Sequence, residues 1–467
     1  MECGKAENLS KTQISFKPRN QLPHSTIAAV NDFYLDEKIS RQMPGRKDTI
    51  SVKQPLGTRV KLRKHLLSYT TSDAFEIFKT EHPEIKIGLS KFKELRPANC
   101  IPTSRHDQIV CACKYCENAE LTLSALRLAG VCSIDMPSTI HQLLKLTTCD
   151  MENEQCVKRE CSSCSVDVIN GLVTQSKDSV DVYQWREGDN GYLNKLCDMM
   201  SSEAATDLLK SQLSSLSLHM YTSNKQHEAI RKLKANLKDG EILIHEDFSE
   251  NFACKQNTEI QSAYYNTIGV TVFTVMIYFK QNGDLQHRCC VVVSDNMEHS
   301  KDSVYAFNKE IIQYARSEIG LVNHIHFVSD GAASQFKNRF TVQNLKHSQT
   351  DFGVSADWSY FETSHGKGAV DGVGGTIKQQ VLLAVYRGQA VVNSAQTFAD
   401  TAKRLTEKSA KPIKVIYVSS EEITQSSKLC QDRWMQAPPA PGIRKCHFIY
   451  IKDNTPCLLE LTPTEVR

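Results

Sequence analysis

The chain is predicted to be an α/β protein built on a mixed β-sheet, and three observations support this. Runs rich in β-branched and aromatic residues (EILIHEDF, VTVFTVMIYFK, LQHRCCVVVSD, HIHFVSD, DWSYFET) recur between residues 238 and 392. The first three follow one another through short connections, whereas the later ones alternate with segments of helical period. Ahead of them lie a basic helical stretch and a cluster of cysteines, which add small modules N-terminal to the sheet.

The bulk properties bound the reading. At 467 residues the chain is too long for one ordinary core, so two to four domains are expected. The longest apolar stretch, Gly269–Phe279, is about half of what a membrane span needs, so no membrane partner is expected. The polar N-terminus has no apolar core of a secretory signal, which implies an intracellular protein. Seventeen cysteines in such a chain argue against a disulfide framework, and their clustering points to metal.

Residues 1–45 read as a basic, disordered leader. Lys and Arg outnumber Asp and Glu 13 to 6 over residues 1–66, which suits phosphate contacts or import into the nucleus. In 46–100, Thr71 or Ser72 can cap a helix that Pro83 ends, and Ser90 can cap a short second helix stopped by Pro97. The pair resembles a helix-turn-helix, with Lys91, Lys93 and Arg96 placed to meet DNA.

Residues 101–170 form the cysteine-rich segment. Two residues between thiolates let both sulfurs reach one tetrahedral Zn²⁺, and a second such pair completes the site. Cys113, Cys116, Cys161 and Cys164 are the economical structural-zinc set, with the intervening ENAELTLSALRLAG as a helix. Cys111, Cys149 and Cys156 are spare ligands, enough for a different set or a second ion. Residues 171–237 read as a helical connector, and 393–467 as a small α/β accessory tail without a chemical motif.

The chemistry is expected in 238–392. Its element order, β-β-β-α-β-α-β-α, is that of the RNase H-like fold, in which the first and fourth strands are neighbours. Asp247 and Asp330 end those two strands, and Asp371 lies just before the helix after the fifth. Glu362, at the end of the fifth strand, competes for the third place, and Asp371 could instead cap its helix. Converging carboxylates repel unless hard cations neutralise them, so two Mg²⁺ or Mn²⁺ ions are the expected partners. Lys337, His365 and Lys367 lie in neighbouring loops suited to DNA phosphates. The glycine-rich HGKGAVDGVGG lacks the Walker Lys-Ser/Thr pair and the Rossmann setting, which excludes an ATPase or dinucleotide reading.

The blocks IHEDFSENFACKQNTEIQSAYYN, VSDGAASQFKNRF and WSYFETSHGKGAVDGVGGTIKQ resemble parts of animal proteins derived from DDE-type DNA transposons. CACKYCENAELTLSAL, CVKRECSSC and SKFKELRP resemble their upstream parts. The resemblance implies an RNase H-like transposase core behind a DNA-binding region and a zinc module, cutting and joining DNA as a homo-oligomer in the nucleus. A domesticated, inactive DNA-binding or chromatin-associated protein is the alternative. Family members usually carry Glu as third acid, whereas the best-placed acid here is Asp371.

Overall fold

The computed structural model describes residues 22–463 apart from 37–38, 43–48, 54–58, 68, 70, 103–112, 190, 257–258, 261–264, 266, 367 and 408–411. The expectations for Cys111, Lys367 and residues 1–21 therefore lie outside the described residues. The chain divides into two compact units, whose described parts end at residue 102 and begin at residue 113.

The first unit runs α1 (His24–Leu35), β1 (Ser40–Gln42), β2 (Thr49–Lys53), β3 (Arg59–Arg63), β4 (His65–Leu67), α2 (Thr71–Glu81), α3 (Leu89–Glu94) and β5 (Cys100–Pro102). β2 and β3 form a hairpin, and β4 lies between antiparallel β1 and parallel β5. Aromatic side chains hold it together: Tyr34 and Phe92 lie 4.6 Å apart, and Phe33 and Phe78 5.1 Å. Part of the leader is thus helix rather than disordered, because Val30, Phe33 and Tyr34 share one face and are buried. Both expected helices form, but among strands, and α3 is only six residues long. Phe92 turns inward, leaving Lys91 and Lys93 exposed. Arg96 instead donates to the Cys100 carbonyl at 2.7 Å, which ties the chain to β5.

The second unit begins with α4 (Lys114–Leu128), α5 (Ile140–Thr147), α6 (Glu154–Val157), a 3-10 turn (Val166–Leu172), β6 (Val180–Glu187), β7 (Leu193–Met200) and α7 (Ser202–Ala235). The connector is therefore not all helical. Val180, Val182 and Gln184 alternate inward along β6, a period of two that only a strand satisfies. Ser201 caps α7 by accepting from the Ala204 N–H. The 34-residue helix carries two buried stretches in series. Ala205, Leu209, Leu213 and Leu216 pack with α4 and α5, while Ile230 and Leu233 pack on the sheet residues Leu243, Val328 and Phe361.

The sheet follows: β8 (Glu241–Cys254), β9 (Ile268–Gln281), β10 (Asp284–Ser294), α8 (Lys301–Ile319), β11 (His324–Ser329), α9 (Arg339–Phe352), β12 (Ser355–Tyr360), α10 (Ala369–Tyr386), α11 (Ala395–Thr406), β13 (Ile413–Tyr417), α12 (Ser420–Met435), β14 (Phe448–Lys452) and β15 (Thr455–Leu459). The strand order is β13-β10-β9-β8-β11-β12-β14-β15. β9 is antiparallel to both neighbours, and β8, β11 and β12 run parallel. The β9–β10 turn uses Asn282 and Gly283, both at positive φ (54° and 84°), which matches the right-handed strand twist. The tail is no separate module: β13 extends one edge beside β10, and β14–β15 cover the other beside β12. Covering both edges removes unpaired backbone groups from the central strands.

Helices cover both faces. One core gathers Phe273, Val292 and Phe327 with Phe307 and Ile311 of α8 and Leu345 of α9. The other gathers Val270, Val272 and Val291 with Val373 and Ile377 of α10 and Phe398 of α11. No helix among the described residues is long and apolar enough to cross a membrane.

Candidate functional site

Strand alternation decides where the acids point. In β8, Leu243 faces α7, so Asp247, four residues on, shares that face. Its neighbour Glu246 faces the opposite core, fully buried, and accepts from Asn308 Nδ2 of α8 at 3.3 Å. Burial pushes the Glu246 carboxyl well above its ordinary range. Val328 of β11 pairs with His245, and Asp330 follows the last β11 residue, Ser329, whereas Asp247 lies midway along the longer β8 rather than at its end. Asp330 is half-buried, its pKa raised by burial, and it accepts from the Ala332 N–H at 3.1 Å.

α10 covers this same face, because Gly374 sits against Ser249 and Thr274. Asp371 lies one turn earlier, and its carboxylate accepts from the Gly368 N–H at 2.8 Å, capping the helix start. Among the described residues, Asp247, Asp330 and Asp371 are not a group whose ligand atoms all lie within 4.8 Å of one another. One ion could not be shared by all three in this arrangement. Lys337 lies close by, partly desolvated and with its pKa lowered by that burial, its ammonium 5.5 Å from the Tyr360 ring centroid.

Among the described residues, three groups of side chains do bring their ligand atoms that close together. The first is Cys149, Cys156, Cys161 and Cys164. Cys149 Sγ lies 3.3, 3.7 and 3.3 Å from the other three sulfurs in that order. Hydrogen bonding from the Ser163 backbone pulls the Cys161 thiol down to about 7. The second group is Cys113, Cys116, His219 and His365. Cys113 Sγ is 3.2 Å from His219 Nε2, Cys116 Sγ 3.8 Å from His365 Nε2, and the two Nε2 atoms are 3.0 Å apart. Cys113 lies at the N-cap of α4 and Cys116 in its first turn, His219 sits midway along α7, and His365 follows β12.

The four-cysteine set expected from two knuckles is thus divided. Cys113 and Cys116 meet two histidines, and Cys161 and Cys164 meet Cys149 and Cys156. The physical reason is the fold: α4 runs away from Cys116, and a local turn closes Cys149–Cys164 on itself, with Cys164 N–H donating to the Cys161 carbonyl at 3.2 Å. Both sets suit a borderline-soft ion such as Zn²⁺. Tetrahedral bonds of ~2.3 Å to sulfur and ~2.0 Å to nitrogen put S···S, S···N and N···N edges at roughly 3.8, 3.5 and 3.3 Å. The spacings seen here fall within about half an ångström of those edges.

Glu362 is committed to the second group. Its carboxylate lies 3.2 Å from His219 Nδ1 and 3.0 Å from His447 Nε2. Burial opposes its ionised form, but hydrogen bonds from both rings and the Thr363 N–H hold its pKa far below the ordinary range. This is a carboxylate orienting a ligand imidazole, as metal-bound histidines commonly require. His219 and His447 were not found by sequence reasoning, because nothing in local spacing marks them. The third group, His324, His326 and Asp357, lies at the other end of β11 and β12. Both rings stand 2.9 Å from Asp357 Oδ2, which two imidazole N–H donors satisfy without an ion.

Fold and site together define a mixed α/β protein with two candidate metal centres and an acidic strand pair at one end of its sheet. The chain belongs to the family described as Domain of unknown function (DUF8701), whose model matches residues 226–460 and so takes in every strand of the large sheet. Residues 21–104 match a second Domain of unknown function (DUF8699). No curated protein and no solved structure matches the chain.

Proposed function

We propose that this chain acts on DNA through an RNase H-like core of DDE-transposon type, with Asp247 and Asp330 as its cation-binding acids. One observation carries the reading. The five strands β10-β9-β8-β11-β12 put the first and fourth of the series side by side, with Asp247 and Asp330 each two residues past the paired His245 and Val328. Mg²⁺ or Mn²⁺ bound there would neutralise the two carboxylates and supply Lewis-acid catalysis for phosphodiester cleavage or joining. The chain's part is to fix both acids on adjacent strands beneath α10 and to offer the Lys337 ammonium to phosphate. Lys91 and Lys93 of the first unit are further DNA contacts in this reading; Arg96 is tied to the Cys100 carbonyl, and His365 turns to Cys116 and His219 instead of a phosphate.

The test is nicking of supercoiled plasmid with Mg²⁺ or Mn²⁺ in the nuclear-pH range. The wild type should nick, and Asp247→Asn and Asp330→Asn should each lose at least about 100-fold, the scale of removing a principal electrostatic group. Full activity in both variants would refute the assignment.

A second reading has its own support. Both candidates for the third acid are engaged: Asp371 caps α10, and Glu362 is held between His219 and His447. A domesticated protein that binds DNA without cutting it fits that arrangement, and salt-dependent DNA binding with no nicking would favour it.

A further inference from the structure

We propose that Cys113, Cys116, His219 and His365 hold one Zn²⁺ in a closed S2N2 site, distinct from the four-cysteine cluster, and that this ion locks the loop after β12 onto α4 and α7. The proposal stands whether or not the chain cuts DNA.

The ligands come from three separate places in the second unit. Cys113 and Cys116 belong to the start of α4, where unpaired backbone N–H groups and the helix dipole favour thiolates. His219 comes from the middle of α7, between the stretch packed on α4 and the stretch packed on the sheet. His365 comes from the loop, where its N–H donates to the Glu362 carbonyl at 2.9 Å and Ser364 adopts a positive φ of 63°. That turn aims the ring at the cysteines, so Nε2 of both histidines meets two sulfurs.

Four protein ligands leave no open position, which is the mark of a structural rather than a catalytic zinc. The second shell is also built. Glu362 takes the Nδ1 side of His219, leaving Nε2 for the metal, and its other oxygen meets His447, whose Nδ1 is 2.9 Å from the Glu460 carbonyl. The Tyr360 N–H donates to the His447 carbonyl at 2.8 Å, so the second shell is tied to β12. Cys116 and His365 are 249 positions apart in sequence, so an ion between them joins the helical region to the loop after β12. Because a preformed site is absent from the unfolded chain, binding here is coupled to folding.

The measurement is metal content by mass spectrometry of the full chain purified without added metal, followed by Co²⁺ exchange and absorption spectroscopy. Wild type should carry two Zn²⁺ per chain. Cys116→Ser and His365→Ala should each retain one, and so should Cys161→Ser. In Cys161→Ser, the remaining Co²⁺ should show tetrahedral d–d bands with about half the thiolate charge-transfer intensity of the four-sulfur site. His365→Cys, which keeps a ligand and guards against mere misfolding, should restore the second ion with stronger thiolate absorption. Glu362→Gln should weaken the S2N2 site by about 10–100-fold while leaving the four-cysteine site unchanged. Two zinc ions in folded Cys116→Ser or His365→Ala would overturn the proposal, as would a wild type with one ion that survives in both.

Discussion

Gly374 sits where α10 comes closest to the sheet, and replacing it tests that contact. A Cβ built there would stand 2.8 Å from Ser249 Oγ, 2.8 Å from Thr274 Cγ2 and 3.0 Å from Ser249 Cβ. Ordinary van der Waals contact begins at 3.4 Å, so helix or sheet must give by about 0.6 Å. Overpacking of this kind costs about 1–3 kcal/mol. Alanine returns up to about 1 kcal/mol by its better helix propensity. Taking about 2 kcal/mol for the overpacking and about 1 for the propensity, Gly374→Ala should lose about 1 kcal/mol net, a fall in Tm of roughly 1–2 °C in a unit of this size. Gly375, the next residue, meets nothing within 4 Å of its built Cβ. Gly375→Ala should gain about 0.4–1 kcal/mol by restricting the unfolded chain. Thermal and denaturant unfolding of both variants, zinc-loaded and at one pH, gives the comparison. Equal stability, or a stabilised Gly374→Ala, would refute the close packing of α10 on β8 and β9.

Three further outcomes follow from other parts of the structure. Glu246 is fully buried with its carboxyl held far above the ordinary range, and both its Oε2 and Asn308 Oδ1 lack hydrogen-bond partners. A raised carboxyl pKa means the native state gives up stability as pH climbs past the unfolded value of about 4.3. Glu246→Gln should thus raise Tm, more at pH 7 than at pH 5; equal Tm values at both would count against the buried acid. Phe92 is fully buried among Phe33, Tyr34, Phe75 and Phe78, so Phe92→Ala should destabilise the first unit by about 3–5 kcal/mol in calorimetry. A loss under about 1 kcal/mol would contradict that aromatic core. Cys164→Ser should release the ion of the four-cysteine cluster without changing the metal held near His219, as read by metal analysis after chelator challenge.

Much of the sheet was legible because its strands are long, apolar and bounded by turn residues. Asn282–Gly283 marked its hairpin for a backbone reason, and HIHFVSD and DWSYFET read correctly because both faces of a parallel strand are buried. The edges were not legible. β13, β14 and β15 carry ordinary strand patterns, and their partners in the sheet are far away in sequence. β6 was hidden because only Val180 and Val182 supply apolar alternation before Gln184 takes the third inward place. For the candidate metal centres, the two-residue cysteine spacings singled out two pairs but not the partners each pair meets. His219 and His365 are 146 positions apart, and only the packing of α7 over the sheet end brings them together. Asp371 looked equally like a third acid or a cap, and its bond to the Gly368 N–H shows it in the capping role.

The central proposal is that Asp247 on β8 and Asp330, just past the end of the neighbouring β11, share a divalent-cation site. Binding of Mn²⁺ to the zinc-loaded full chain in the presence of DNA, followed by electron paramagnetic resonance, tests it most directly. The account predicts Mn²⁺ bound by the wild type and lost by at least about tenfold in affinity in the Asp247→Asn, Asp330→Asn double variant. Unchanged Mn²⁺ binding by a folded double variant would contradict it.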